Sequence, residues 1–146
     1  MTDWQSRLLE STAQIDDLLS RVRSVAVLGI KTAESQAPAY GVPAYAQNAG
    51  LKIYPAPVYY PDVTEILGEP VFRSVGEIGE RVDLVDVFRR PSDIPGHLED
   101  LLAARPRAVW FQLGIRHDGV AAELAKAGIE VVQDRCLLVE LRRTGR

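Results

Sequence analysis

Several things are scarce in this sequence, and each shortage excludes a class of protein. Cys136 is the one cysteine, so neither an internal disulfide nor a cysteine-based zinc cage can hold the chain together. Basic residues are not in excess. Lys plus Arg number 17 against 20 for Asp plus Glu, a formal charge of −3, whereas a duplex-binding protein carries a strong basic surplus. No nucleic-acid partner is expected. No apolar run approaches the roughly 20 residues of a membrane helix, and Asp3, Glu10, Asp16 and Asp17 interrupt the start of the chain where a signal peptide would need a continuous apolar stretch. The expectation is a cytoplasmic protein with no membrane partner. What is present is ordinary for a globular chain. Of 146 residues 47% are apolar and 25% charged, enough for one domain spanning 1–146 with a core that needs no staple.

Trp4, Leu8, Ile15, Leu19 and Val22 recur at helical spacing, which predicts an N-terminal helix over about 3–23, with Thr2 and Gln5 at the spacing of a capping box. Val25 to Gly29 is then an unbroken apolar run, the mark of a strand buried on both faces. The same alternation repeats along the chain. Pro38 opens a helix that Gly50 closes, and Leu51–Ala56 is a strand stopped by prolines. Glu65-Ile66-Leu67-Gly68 is a short piece, Val71-Phe72 a brief edge strand, and Ser74 with Glu77 caps a short helix. Strands follow at Leu84–Phe88, Ala108–Phe111 and Ile129–Val132, separated by helices that Ser92 or Asp93 and Asp118 would cap. The tail Leu137–Arg146 reads equally as helix or edge strand. Strands alternating with helices of about ten residues mean right-handed crossovers, hence a doubly wound, mainly parallel α/β sheet with helices on both faces.

Ligands of such sheets lie beyond the carboxyl ends of the strands, where strand order reverses. The loops there carry Lys31, Arg89, Arg90, Arg116 and Arg135 against Glu34, Asp93, Asp118 and Asp134. With Asp93 and Asp118 engaged as helix caps, that end is locally basic and suits an anionic, nucleotide-like ligand. No Walker loop is present. Gly29-Ile30-Lys31-Thr32-Ala33-Glu34 lacks the Gly-x-Gly-x-x-Gly fingerprint, and no carboxylate ends the second strand, so NAD is disfavoured. Catalytic groups are thin: His97 and His117 read as surface residues, and neither forms a nucleophile–base pattern with Cys136. Asp86, inside an apolar strand, is expected to be hydrogen-bonded if buried and to orient a neighbouring loop.

These residues also match a family. Val25-Ala26-Val27-Leu28-Gly29, Tyr54-Pro55, Glu65-Ile66-Leu67-Gly68, the run Val82 to Pro91, Val109 to Ile115 and Asp134-Arg135-Cys136 occur in the order and at the spacing of small stand-alone CoA-binding proteins. Those proteins resemble the N-terminal CoA-binding domain of the succinyl-CoA synthetase alpha subunit. The resemblance covers about residues 8 to 141. It implies a Rossmann-type sheet of order 3-2-1-4-5-6, with Val71-Phe72 as the edge strand, and CoA or an acyl-CoA across the switch point. By the same resemblance Gly29, Ile30 and Lys31 approach the phosphates through backbone amides and one cation. Pro57 and Val58 line the nucleotide end; Phe88, Arg89 and Arg90 flank the adenosine and phosphates; Gln112, Leu113 and Gly114 complete the cleft. The chain departs from many relatives in having Gly29-Ile30-Lys31 for Gly-Ala-Ser, Ala37-Pro38-Ala39 for Arg-Pro-Ser, and Pro57-Val58 for Asn-Pro. Lys31 is positioned to replace the missing arginine charge. The chain has no room for the synthetase's phosphohistidine domain, so ligase activity is not implied, and no catalytic or metal-binding residue is assigned. Two other readings stay open: a regulatory or protein-interaction module with weakened nucleotide binding, and an enzyme acting on a CoA thioester or nucleotide through Cys136 or His117.

Overall fold

The computed structural model describes residues 3–146. Five parallel strands form the central sheet: β1 (Ser24–Leu28), β2 (Lys52–Ala56), β5 (Leu84–Val87), β6 (Ala108–Phe111) and β7 (Glu130–Val132). Their order is β2-β1-β5-β6-β7, and a separate two-stranded hairpin joins β3 (Glu65–Ile66) to β4 (Glu69–Pro70). The strands are buried nearly throughout, as sheets covered on both faces require. On one face Val25, Val27, Ile53, Leu84 and Trp110 pack against α1 (Thr12–Ser20), α2 (Pro38–Asn48) and α5 (Leu137–Arg143). On the other, Ala26, Leu28, Val85, Val87, Val109 and Phe111 pack against α3 (Leu98–Ala104) and α4 (Asp118–Lys126). This is the doubly wound α/β fold, with chain order reversing between β1 and β5.

The expected sixth strand is not formed. Val71 and Phe72 lie beside β2, but a single ladder-like bond joins them, from Phe72 N–H to the Pro55 carbonyl at 2.8 Å. The reason lies in β2. Lys52, Tyr54 and Ala56 face β1, since Lys52 N–H donates to Arg23 and Ala56 accepts from Gly29. Pro55 and Pro57 therefore fall on the outer side, where neither has an N–H to offer another strand.

The N-terminal helix is also corrected. A 3-10 turn spans Trp4–Arg7, and α1 begins only at Thr12, capped by Ser11 with Gln14 in a reciprocal box. Thr2 of the expected box lies outside the described residues. Between the two pieces Leu8 and Leu9 extend along the sheet edge, Leu8 bridging Val131 and Leu9 N–H donating to the Val131 carbonyl at 2.8 Å. Pairing with an open strand edge outweighs helical spacing here. The ambiguous tail is helical, as α5.

Candidate functional site

The site is built from the crossing of β1 and β5. Gly29, immediately after β1, holds φ at 89°. A side-chain carbon placed there would lie 2.5 Å from the Phe88 carbonyl oxygen, so only glycine fits. Phe88 N–H in turn donates to the Leu28 carbonyl at 2.9 Å. Beyond this crossing opens a cleft of about 420 Å³ lined by Leu28, Pro57, Val58, Arg73, Ser74, His97 and Asp100.

Its charged groups hold one another in place. The guanidinium of Arg73 clamps the loop after β2, donating to the carbonyls of Tyr59, Tyr60 and Val63 at 3.2, 3.0 and 2.8 Å. Asp100 accepts from Val75 N–H at 2.8 Å and Gly76 N–H at 3.0 Å, which fixes the turn after Ser74. The side chain of Arg89 is only 14% exposed. It donates through Nε to His97 Nε2 at 3.2 Å, reaches the Tyr59 hydroxyl at 3.4 Å, and lies 3.6 Å from Asp93 and 5.7 Å from the centre of the Tyr59 ring. Arg90 is 80% exposed and pairs with the same Asp93 at 3.1 Å. Burial, and then the Arg89 charge, hold the His97 imidazole below its ordinary pKa, against the pull of Asp100 and Asp93.

Of the expected residues, Pro57 and Val58 line this cleft; Arg89 reaches it through its bond to the lining residue His97, Gly29 and Phe88 adjoin the lining residue Leu28, and Arg90 points to solvent. Of the three amides expected to meet phosphate, two are taken by the protein: Gly29 N–H donates to Ala56 and Lys31 N–H to Ala39. The Ile30 side chain is buried, while its N–H has no partner among the described residues. The Lys31 ammonium, half-buried, forms no ion pair among the described residues. Gln112 N–H donates to the Val87 carbonyl at 3.3 Å, at the end of β5, and Gln112, Leu113 and Gly114 do not line this cleft. Gln112 is buried and its side-chain oxygen accepts from Leu137 N–H at 3.2 Å, holding the start of α5. Gly114 N–H donates to Asp134 at 2.7 Å. Leu113 stands 65% exposed on a second cleft of about 520 Å³, which also includes Leu8, Val131, Cys136 and Val139.

Two expected helix caps are reassigned. Asp93 pairs with the arginines, and α4 is capped by His117, whose Nδ1 accepts from Val120 N–H at 3.0 Å. Asp86 is buried without a hydrogen-bond partner among the described residues, and burial holds its carboxyl well above the usual range. The loop-orienting role belongs to Asp83, which accepts from Arg23 N–H at 2.8 Å and Ser24 N–H at 3.1 Å. Sequence reasoning missed Arg73, Tyr59 and Asp100, and dismissed His97. The one available signal was the spacing of His97 behind the double arginine, which brings it back to Arg89 across a 3-10 turn over Pro91–His97.

Comparison with known proteins bears directly on this arrangement. The sequence model of a family described as a CoA binding domain matches residues 23–142. The chain belongs to this CoA-binding domain family. It is 31% identical to YneT, an uncharacterized protein of Bacillus subtilis (strain 168), over 129 residues that make up 88% of this chain and 93% of that one. Among solved structures, a Thermus thermophilus protein, cell-free ID.343, shares 39% identity at a TM-score of 0.83, covering 92% of this chain and 99% of its own. A Pyrococcus horikoshii OT3 protein shares 25% at a TM-score of 0.83, covering 92% of each. Family membership supports a CoA-binding role and a small-molecule ligand. No helix among the described residues is long and apolar enough to cross a membrane. The cleft fits such a ligand in kind: Arg89 has five N–H donors and three protein partners, so guanidinium donors remain for phosphate oxygens.

Proposed function

We propose that this protein binds CoA or an acyl-CoA across the switch point of its sheet, in the cytoplasm, without converting it. The observation that carries the reading is the little-exposed Arg89, bonded to His97 on the cleft wall and to Tyr59, beside a β1–β5 crossing so close that only glycine fits at position 29. Arginine grips phosphate with paired donors, Lys31 adds a cation with no ion pair among the described residues, and Pro57 and Val58 offer an apolar wall for the base. The phosphopantetheine arm, built round two amide units, would run along the carboxyl ends of β5 and β6 toward the second cleft. From β1 to β7 is about 14 Å, or three strand spacings, and Leu113 and Val139 there offer apolar surface to an acyl group.

Calorimetric titration with CoA, dephospho-CoA, hexanoyl-CoA, NAD and ATP at one salt concentration tests this. CoA should bind, dephospho-CoA more weakly, NAD least, and none should be consumed on long incubation. Silence for CoA and hexanoyl-CoA would remove the reading. A second reading, a protein-interaction module with weakened nucleotide binding, draws on the engagement of Arg89 and of two of the three loop amides by the protein itself. Micromolar CoA affinity that falls on Arg89→Ala would count against it.

A further inference from the structure

His97 accepts a hydrogen bond at Nε2 from Nε of Arg89, 3.2 Å away. A ring nitrogen that accepts carries no proton, so this imidazole is neutral and holds its proton on Nδ1. Burial is the first reason and the Arg89 charge the second. Arg89 and Asp93 face it from the segment after β5, Asp100 from α3, and Arg73 shares the cleft wall from the stretch after β4. Asp93 already serves Arg89 and Arg90, and Asp100 already accepts two backbone N–H groups. With both carboxylates engaged, a proton on the ring would place a second cation beside the Arg89 guanidinium in a partly buried site.

A phosphate reverses that balance. It brings one to two negative charges to a cleft whose wall is His97 itself, and it competes with the imidazole for the N–H groups of Arg89. We propose that His97 is a proton-linked phosphate-binding residue: as a ligand phosphate enters the cleft, Arg89 turns its Nε–H from the ring to a phosphate oxygen, and the freed Nε2 takes up a proton from solvent and donates it in a hydrogen bond to the same phosphate. This deepens the CoA-binding reading and rests on it. Binding is then coupled to proton uptake. Affinity rises as pH falls between the pKa of His97 in the complex and its lower value in the free protein, by up to tenfold per pH unit. The ligand's own phosphate monoester ionises near ~6, but a cationic cleft drives it to release its proton, the opposite sign. Net uptake therefore comes from the protein.

Titration of the intact protein with CoA near pH 6, 7 and 8, in buffers of differing ionisation enthalpy, reads the uptake directly. The expected result is roughly tenfold tighter binding near pH 6 than near pH 8, with uptake of up to one proton near pH 7. His97→Gln, neutral and still able to accept from Arg89, should bind CoA with no uptake, only the release from the ligand's own phosphate, so that its affinity no longer rises as pH falls. A wild-type profile that follows the variant's, or uptake that survives in His97→Gln, would overturn the proposal while leaving CoA binding intact. Failure of CoA to bind at any pH would overturn both. Should the variant not fold, imidazole NMR of the wild type decides, because there are only two histidines. The His97 pKa must rise on saturation with CoA, and an unchanged value refutes the coupling.

Discussion

At the carboxyl ends of β1, β2 and β5, charged groups face one another with bonding capacity left over. Beyond β6 and β7, Arg116, Arg135 and Glu140 each have a protein partner and two apolar side chains stand in the open. Beside the first cleft Arg89 is shared among His97, Tyr59 and Asp93, and Lys31, in the loop after β1, forms no ion pair among the described residues. In the second, Arg116 pairs with Asp118 at 3.0 Å, Arg135 donates to the Glu10 carbonyl at 2.9 Å and Glu140 accepts from Arg143 at 2.9 Å, while Leu113 and Val139 are 65% and 54% exposed. A phosphate gains from a little-exposed arginine in a semi-enclosed cleft, and an acyl chain gains from the more exposed apolar surface of Leu113. On this difference the proposed function assigns the phosphates to the first cleft and the far end of the ligand to the second.

Substitutions can sharpen or break this contrast. The largest effect belongs to the glycines. Gly29→Ala forces a side chain against the Phe88 carbonyl at positive φ, and thermal unfolding should show a loss of roughly 2–4 kcal/mol together with loss of CoA binding. Gly114→Ala, also at positive φ but with open space around it, should cost about 1 kcal/mol and leave the phosphates bound. Equal losses of affinity would erase the distinction between the clefts. Next come the arginines. Arg89→Ala should weaken CoA by about ten- to a hundredfold, as loss of a charge-assisted bond does, whereas the exposed Arg90, paired at the surface, should matter less than about threefold. Calorimetry that ranks Arg90 above Arg89 would move the phosphates out of the cleft.

The smallest effect on binding is expected from Asp86, which lies on β5 between the two sites and lines neither cleft. Burial raises its pKa in the folded chain. The folded protein therefore keeps a proton that the unfolded chain releases above about 3.9. Stability from this group is fully present below that pH and is lost as pH rises toward the folded value, by up to about 1.4 kcal/mol per pH unit. Asp86→Asn should remove that slope, seen as a denaturation midpoint that gains on the wild type as pH increases, with CoA affinity unchanged. Parallel stability curves for the two proteins would show the carboxyl to be ionised and paired.

How much was legible in the sequence follows from which forces act locally. The apolar runs at Val25, Leu84 and Ala108 could only be strands buried on both faces, so the sheet was readable within a residue or so. Leu8 was not, because its helical spacing competes with a tertiary bond to the β7 edge that no periodicity reports. The missing edge strand was written in Pro55 and Pro57, but only their shared outward side, known from the β1 register, gives them that meaning. At the candidate site, Gly29 and Arg89 follow strand ends and could be found by position alone. Arg73, His97 and Asp100 come from later segments and meet the cleft only through folding. Gln112 and Gly114 were expected to line the same cleft, yet their hydrogen bonds to Leu137 and Asp134 hold the α5 junction instead.

The most direct test is a crystal structure of the protein grown with CoA. The account predicts the adenylate and its phosphates in the cleft beyond β1 and β5, with phosphate oxygens within hydrogen-bond distance of Arg89 and His97, and the pantetheine arm directed toward Leu113. CoA bound with its phosphates at Arg116 and Arg135 beyond β7, or at the amino ends of the strands, would contradict it.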